Sequence, residues 1–206
     1  MGNRLYTMGF IDPENLVYCL EADTGREIWR YSIEIGFGEP NPLVYGNKVF
    51  LSLHDTCYML ETDESEPQQL WVSGELCSDI ATAVLIDKYL YGTHFAGRYV
   101  TTNDWNTMLR LDWPLRCVSV ETGFVMWEQN MEHSTLTAAD GKLILLGIKG
   151  SLRIAEVTAS GYTELSRGDL SGGKKHFVFA TPLVLCNGKM YCRNYYGDLI
   201  CIDVSN

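Results

Sequence analysis

Three observations predict an all-β chain, a β-propeller of four-stranded antiparallel blades. They are a repeat of roughly forty to fifty residues, a tryptophan held at one offset from a cysteine, and apolar residues alternating at period two. The segment CLEADTGREIW (19–29) returns as CVSVETGFVMW (117–127), with Trp ten residues after Cys in both copies. A degraded copy, MLETDESEPQQLW, spans 59–71, and CIDVSN begins another at 201. A sandwich has no reason to repeat a Trp at one fixed offset, whereas a ring of equivalent sheets has.

A second pattern marks the units: PLVYGNKVFLSLHD (42–55), AVLIDKYLYGTHF (83–95), LTAADGKLILLGIKG (136–150) and PLVLCNGKMYCRNYYG (182–197). Each is an apolar run, a tight polar turn, a lysine and an alternating run. We label the four strands of a unit A to D. Asn47, Asp87, Asp140-Gly141 and Asn187-Gly188 supply hairpin chemistry from A to B, and Thr24-Gly25 and Thr122-Gly123 from C to D. Lys48, Lys88, Lys142 and Lys189 are separated by 40, 54 and 47 residues, the longer intervals being insertions. Helix has almost no support.

The units run at about 3–33, 41–74, 80–131, 134–168 and 179–204 of a single partial propeller domain, 1–206. The first holds strands B, C and D, and the last A, B and C. About five blades are therefore expected, as part of a larger seven- or eight-bladed ring whose missing N-terminal blades, or another chain, cover the open edges. A ring that closes with about five blades is the alternative. In strand D, Trp29, Trp71 and Trp127 are expected to wedge between adjacent blades.

Composition narrows the partners. With 16 Lys+Arg against 26 Asp+Glu the net charge is −10, which sets nucleic acid aside. No apolar run reaches the roughly 20 residues a membrane-spanning helix needs, and the N-terminus shows no export signal. Seven cysteines include no Cys-x-x-Cys pair, so structural zinc is disfavoured. Cys19, Cys117 and Cys201, which share one place in the repeat, read as buried packing thiols.

At EADTGREIW and SVETGFVMW the chain resembles the quinoprotein-like (PQQ-like repeat) propeller family, and GKMYCRNYYGDLICIDV (188–204) looks like its closing blade. The resemblance covers nearly the whole chain. It implies a periplasmic or secreted protein. It leaves function open, because the same repeat serves pyrroloquinoline-quinone (PQQ) alcohol dehydrogenases, an outer-membrane assembly lipoprotein and many uncharacterised exported proteins.

In a propeller the B-to-C loops and D-to-A connectors share one face, and here that face collects the long connections and all four histidines. His54 and His94 each lie six residues after a strand-B lysine in neighbouring blades, and His133 and His176 fall on connectors. Asp55, Glu39, Glu75, Asp79 and Glu132 are expected nearby. Such a ring could bind a divalent metal or act as acid and base, but loop histidines are ordinarily solvent-facing. The insertion 96–115 carries Arg98, Asn103, Asp104, Trp105, Asn106, Arg110, Asp112 and Trp113, a mixture suited to stacking on a planar anionic or sugar-like ligand. The resemblance implies that Asn103 to Asn106 could stand near calcium, as a loop does in PQQ dehydrogenases. The adjacent-cysteine pair of those enzymes is missing here. Cations for PQQ's three carboxylates are limited to Arg98, Arg110, Lys174 and Lys175.

Two functions are expected in order. The first is a non-enzymatic platform whose loop-rich face binds a protein, peptide or glycan, with no cofactor. The second is a PQQ- and calcium-dependent alcohol or sugar dehydrogenase, or a fragment of one. No complete catalytic set or nucleophile motif is present to favour the second.

Overall fold

Period-two patterning leads to strands throughout. The computed structural model describes residues 3–11, 14–33, 40–62, 66–78, 81–94, 113–172 and 178–205, and among them lie eighteen strands and no helix. No helix is therefore long and apolar enough to cross a membrane. Five meandering antiparallel sheets follow one another along the chain. The first holds β1 (Arg4–Ile11), β2 (Glu14–Glu21) and β3 (Glu27–Ile33). The second holds β4 (Leu43–Tyr45), β5 (Lys48–Ser52), β6 (Cys57–Glu61) and β7 (Gln68–Ser73). The third holds β8 (Val84–Ile86), β9 (Tyr89–Thr93), β10 (Leu115–Ser119) and β11 (Val125–Gln129). The fourth holds β12 (Ser134–Ala139), β13 (Lys142–Gly147), β14 (Ser151–Thr158) and β15 (Gly161–Asp169). The last holds β16 (Val184–Cys186), β17 (Lys189–Arg193) and β18 (Leu199–Asp203). Among the described residues the row of sheets does not close into a ring.

The turns show why these residues fold this way. Asp140-Gly141 and Asn187-Gly188 both adopt positive φ at the two central positions, as type I′ hairpins require. In the second sheet the left-handed residue is Gly46 (φ 61°), before Asn47. Asn47 contributes instead through its carbonyl, which accepts from the Thr62 N–H and hydroxyl, and through its amide, which donates to Glu61. At the C-to-D corners Gly25 and Gly123 take φ of 70° and 71°, while the Thr24 and Thr122 hydroxyls accept from the N–H two residues on.

Each C–D hairpin carries a bulge at one place. The register slips after Cys19, Met59 and Cys117, which face Trp29, Trp71 and Trp127, and after Ile154, which faces Ser166. The extra residue increases the local twist and turns the strand-D side chain toward the next sheet. Trp71 Nε1 donates to the Val120 carbonyl of the third sheet at 2.9 Å, and Trp127 Nε1 to the Thr158 carbonyl of the fourth at 2.7 Å. Trp29 is buried against the second sheet, but among the described residues its Nε1 has no hydrogen-bond partner. The acceptor at that corner, the Thr62 carbonyl, takes Arg4 Nη1 at 2.6 Å.

The core is a series of seams between sheets. One seam joins Val17, Cys19 and Trp29 to Val49, Leu51 and Leu60. The next joins Phe50, Cys57 and Met59 to Leu76, Leu90 and Val118. A third joins Tyr91 and Cys117 to Leu143, Leu145 and Ala155, and a fourth joins Ile144 and Leu146 to Phe179, Met190 and Cys192. The A strands β4, β8 and β12 lie side by side. Hydroxyls stitch the sheets there: Thr93 donates to the Ser134 carbonyl and Thr137 to the Leu183 carbonyl, at 3.0 and 3.1 Å. Of the three repeat cysteines, Cys19 and Cys117 are buried whereas Cys201 is exposed. The expectation of a packed thiol fails at Cys201 because β18 is the outermost strand of its sheet and no further sheet packs over it among the described residues.

Candidate functional site

The loop-rich face is built from the ends of the B strands and the connectors that cross them. His54 follows β5 and His94 follows β9, each at the same offset from its strand-B lysine. Both are buried, as is His133, so the expectation of solvent-facing histidines is corrected. The physical reason is that inter-sheet connectors and the sheets' own B-to-C segments fold over the strand ends. Ser78 N–H donates to the Leu53 carbonyl, His94 N–H to the Pro114 carbonyl and Ile148 N–H to the His133 carbonyl.

The rings have different jobs. His94 Nδ1 accepts the Cys77 N–H at 3.2 Å, which fixes a neutral imidazole as a structural acceptor. Burial, with the Arg116 guanidinium second, pushes its pKa down to about 4. His54 Nε2 lies 3.5 Å from Asp55 Oδ1, and Asp55 points outward, 66% exposed. His133 stands edge-on to Trp113 with ring centroids 4.5 Å apart, and among the described residues neither of its nitrogens has a hydrogen-bond partner. Burial alone pushes its pKa down to about 4. At neutral pH His94 and His133 are uncharged and inside the seams.

Arg116 on β10 ties this face together. Its Nη1 donates to the Glu75 carbonyl and to Glu75 Oε2, both at 2.9 Å, and its Nε to Glu128 Oε2 at 3.1 Å. Glu132 anchors the next corner by accepting the Lys149 N–H at 3.2 Å and the Ser151 hydroxyl. Sequence reasoning passed over Arg116 because a lone strand arginine carries no motif.

Nor did it single out Cys57 and Cys77. Cys57 begins β6 and Cys77 lies on the connector after β7, twenty residues on; both are buried, Cys57 in the seam between the second and third sheets. Their thiols are hydrogen-bonded to each other, and Cys57 Sγ also donates to the Ser73 carbonyl at 3.1 Å. The Cys77 contact, the Leu76 and Glu75 N–H groups and Ser73 hold the Cys57 thiol below its ordinary value against the opposing effect of burial. The same contact, then burial, pushes Cys77 up. No spacing signal could have paired them, since the adjacency is made by the connector.

Arg98, Asn103, Asp104, Trp105, Asn106, Arg110 and Asp112 lie outside the described residues, as do Glu39, Asp79, Lys174, Lys175 and His176. Trp113, at the end of the insertion, is fully buried against His133. The repeat residues Thr24, Gly25, Trp29, Trp71, Thr122, Gly123 and Trp127 sit at C-to-D corners and on D strands, away from this face. Among the described residues no group of three or more His, Cys, Asp or Glu side chains could hold a metal ion. The residues expected beside PQQ and calcium, Asn103 to Asn106 with Arg98, Arg110, Lys174 and Lys175, all lie outside the described residues; among those described, Arg116 is engaged by two glutamates and the His94 and His133 rings are inside seams.

Residues 1–177 match the family profile described as outer membrane protein assembly factor BamB. No curated protein sequence matches the chain. Among solved structures, BamB from Moraxella catarrhalis is 18% identical, with a TM-score of 0.50 over 97% of this chain and 66% of that one. The computationally designed Ika8 protein is 14% identical, with a TM-score of 0.60 over 95% of this chain and 57% of that one. A europium-containing methanol dehydrogenase is 10% identical, with a TM-score of 0.58 over 97% of this chain and 49% of that one. The chain thus spans two thirds or less of each of these structures, and at these identities the likeness is one of fold.

Proposed function

The chain belongs to the PQQ-like repeat family described as outer membrane protein assembly factor BamB, and on that premise we propose that it is a non-enzymatic binding platform. Its loop-rich face takes a protein partner. One observation carries this reading: the polar groups of that face are engaged in holding the face rigid. His94 serves as a backbone acceptor, and Arg116 locks the 75–78 connector to β10 and β11. Among the described residues, the part of the face formed by the second and third sheets offers carboxylate outward: Asp55, Glu75 and Glu128 are each about half exposed or more, at 66%, 49% and 52%. On a chain of net charge −10 this favours a partner segment carrying Lys or Arg. The family description is that of an outer-membrane assembly factor, so we place the activity in the periplasm or outside the cell.

The test compares the two faces. A photo-crosslinking residue at Asp55 or Glu75 is expected to capture a discrete protein in the cell of origin, while one at Thr24 or Phe124 on the opposite corners is not. Equal capture from both faces would overturn the assignment. Calorimetric titration with PQQ, with and without calcium, supplies the other arm: saturable calcium-dependent binding with alcohol turnover would replace the platform by a dehydrogenase.

A further inference from the structure

We propose that Cys57 and Cys77 form a thiol–disulfide exchange site, which a small-molecule disulfide of the glutathione type converts into an internal disulfide stapling the 74–78 connector to the second sheet. The inference is independent of the platform reading. It rests on how the connector is laid down. Ser52, the register partner of Cys57, donates its hydroxyl to the Leu76 carbonyl at 2.9 Å, and the Ser78 N–H donates to the Leu53 carbonyl at 3.1 Å. These two bonds bracket Cys77 and bring its thiol against that of Cys57. The Cys77 N–H is itself fixed on His94.

The cysteines at 19, 117 and 192 are separated from this pair, since each packs in a different seam. Cys186 and Cys201 are on the exposed last sheet.

The chemistry balances as two exchanges. The Cys57 thiolate attacks one sulfur of the glutathione disulfide, forming a mixed disulfide and expelling one glutathione thiolate. The Cys77 thiolate then attacks the Cys57 sulfur, forming the internal bond and expelling the second. Two protein thiols are oxidised, one glutathione disulfide is reduced, and the two protons leave on the two glutathiones. Because both sulfurs are buried once the sheets have packed, exchange takes place while the connector is still open, during folding.

The test uses the full chain with Cys186→Ser and Cys201→Ser, which removes the two exposed thiols and leaves five of the seven. The protein is unfolded, reduced and refolded with either reduced glutathione alone or a mixture of reduced and oxidised glutathione. It is then alkylated in denaturant and mapped by peptide mass. In the oxidising buffer, two of the remaining thiols should escape alkylation and appear as one Cys57–Cys77 peptide pair. That form should melt at a higher temperature than the reduced one. Adding Cys57→Ser or Cys77→Ser should abolish the pair and leave a glutathione adduct on the survivor. Recovery of Cys57 and Cys77 as separate alkylated thiols, or paired with other cysteines, would overturn the proposal. So would a crosslink that leaves the melting temperature unchanged or lower. If the serine background fails to refold, the same map on the unmodified chain decides the matter.

Discussion

His133 makes acid sensitivity measurable. Its ring is buried, both nitrogens lack partners among the described residues, and its pKa falls from 6.5 to about 4 in the folded chain. Well above pH 6.5 the residue is neutral in both the folded and the unfolded chain and contributes no pH dependence. As the pH falls below that, the unfolded chain takes up a proton that the folded chain refuses, so stability declines until the folded ring is itself protonated near pH 4. A depression of that size, at 1.36 kcal/mol per unit, is worth about 3 kcal/mol, a large fraction of the roughly 5–15 kcal/mol that holds a domain folded. The perturbation is His133→Phe, which keeps a flat ring against Trp113 and removes the titration. Urea unfolding followed by tryptophan fluorescence at half-unit steps from pH 7 to pH 4 reads the difference. The exposed carboxylates of Glu21, Glu27, Asp169 and Asp203, whose pKa values are also lowered on folding, affect both proteins equally and cancel. The unmodified chain should lose about 3 kcal/mol more than the variant over that interval. Parallel stability curves would refute the assignment of a buried neutral His133.

Other substitutions test the seams. Gly123→Ala places a methyl 2.9 Å from the Trp71 ring at φ +71°, whereas Gly25→Ala, at φ +70°, meets nothing within 4 Å. Thermal unfolding should show about 1 kcal/mol lost at Gly25 and about 2–4 kcal/mol at Gly123, and equal losses would mean that Trp71 does not pack on that corner. Trp71→Phe removes the hydrogen bond to Val120 for roughly 1 kcal/mol, and Trp71→Ala also opens the seam for about 3–5 kcal/mol, both read by denaturant titration. Lys48 and Glu121 form an exposed pair at 3.0 Å between the second and third sheets. Glu121→Gln should cost under about 1 kcal/mol, and the difference should vanish in 1 M salt.

The fold was legible because it is written in short-range chemistry that recurs. Alternation, the turn pairs Asp140-Gly141 and Asn187-Gly188, and the Trp opposite Cys19 and Cys117 act within one hairpin, so each copy can be read without the others. At the A-to-B turn of the second sheet the positive φ falls on the glycine before Asn47, and Asn47 supplies the turn's hydrogen bonds. The site was far less legible. Whether a loop histidine faces water depends on which connector crosses it, and a connector's path is chosen by packing against another sheet. His94 is therefore an acceptor for Cys77, a residue 17 positions away. Arg116 reaches Glu75 across 41.

By itself, then, the amino-acid sequence determined an all-β repeat architecture, its turn positions and the tryptophans at the seams, because hydrogen-bonded hairpins and side-chain alternation are local. Only the tertiary structure decided that His94 and His133 are uncharged and interior, that Cys201 is bare while Cys57 meets Cys77, and that Asp55, Glu75 and Glu128 face outward from the second and third sheets. Those are properties of burial and of contacts between sheets, and no single hairpin contains them.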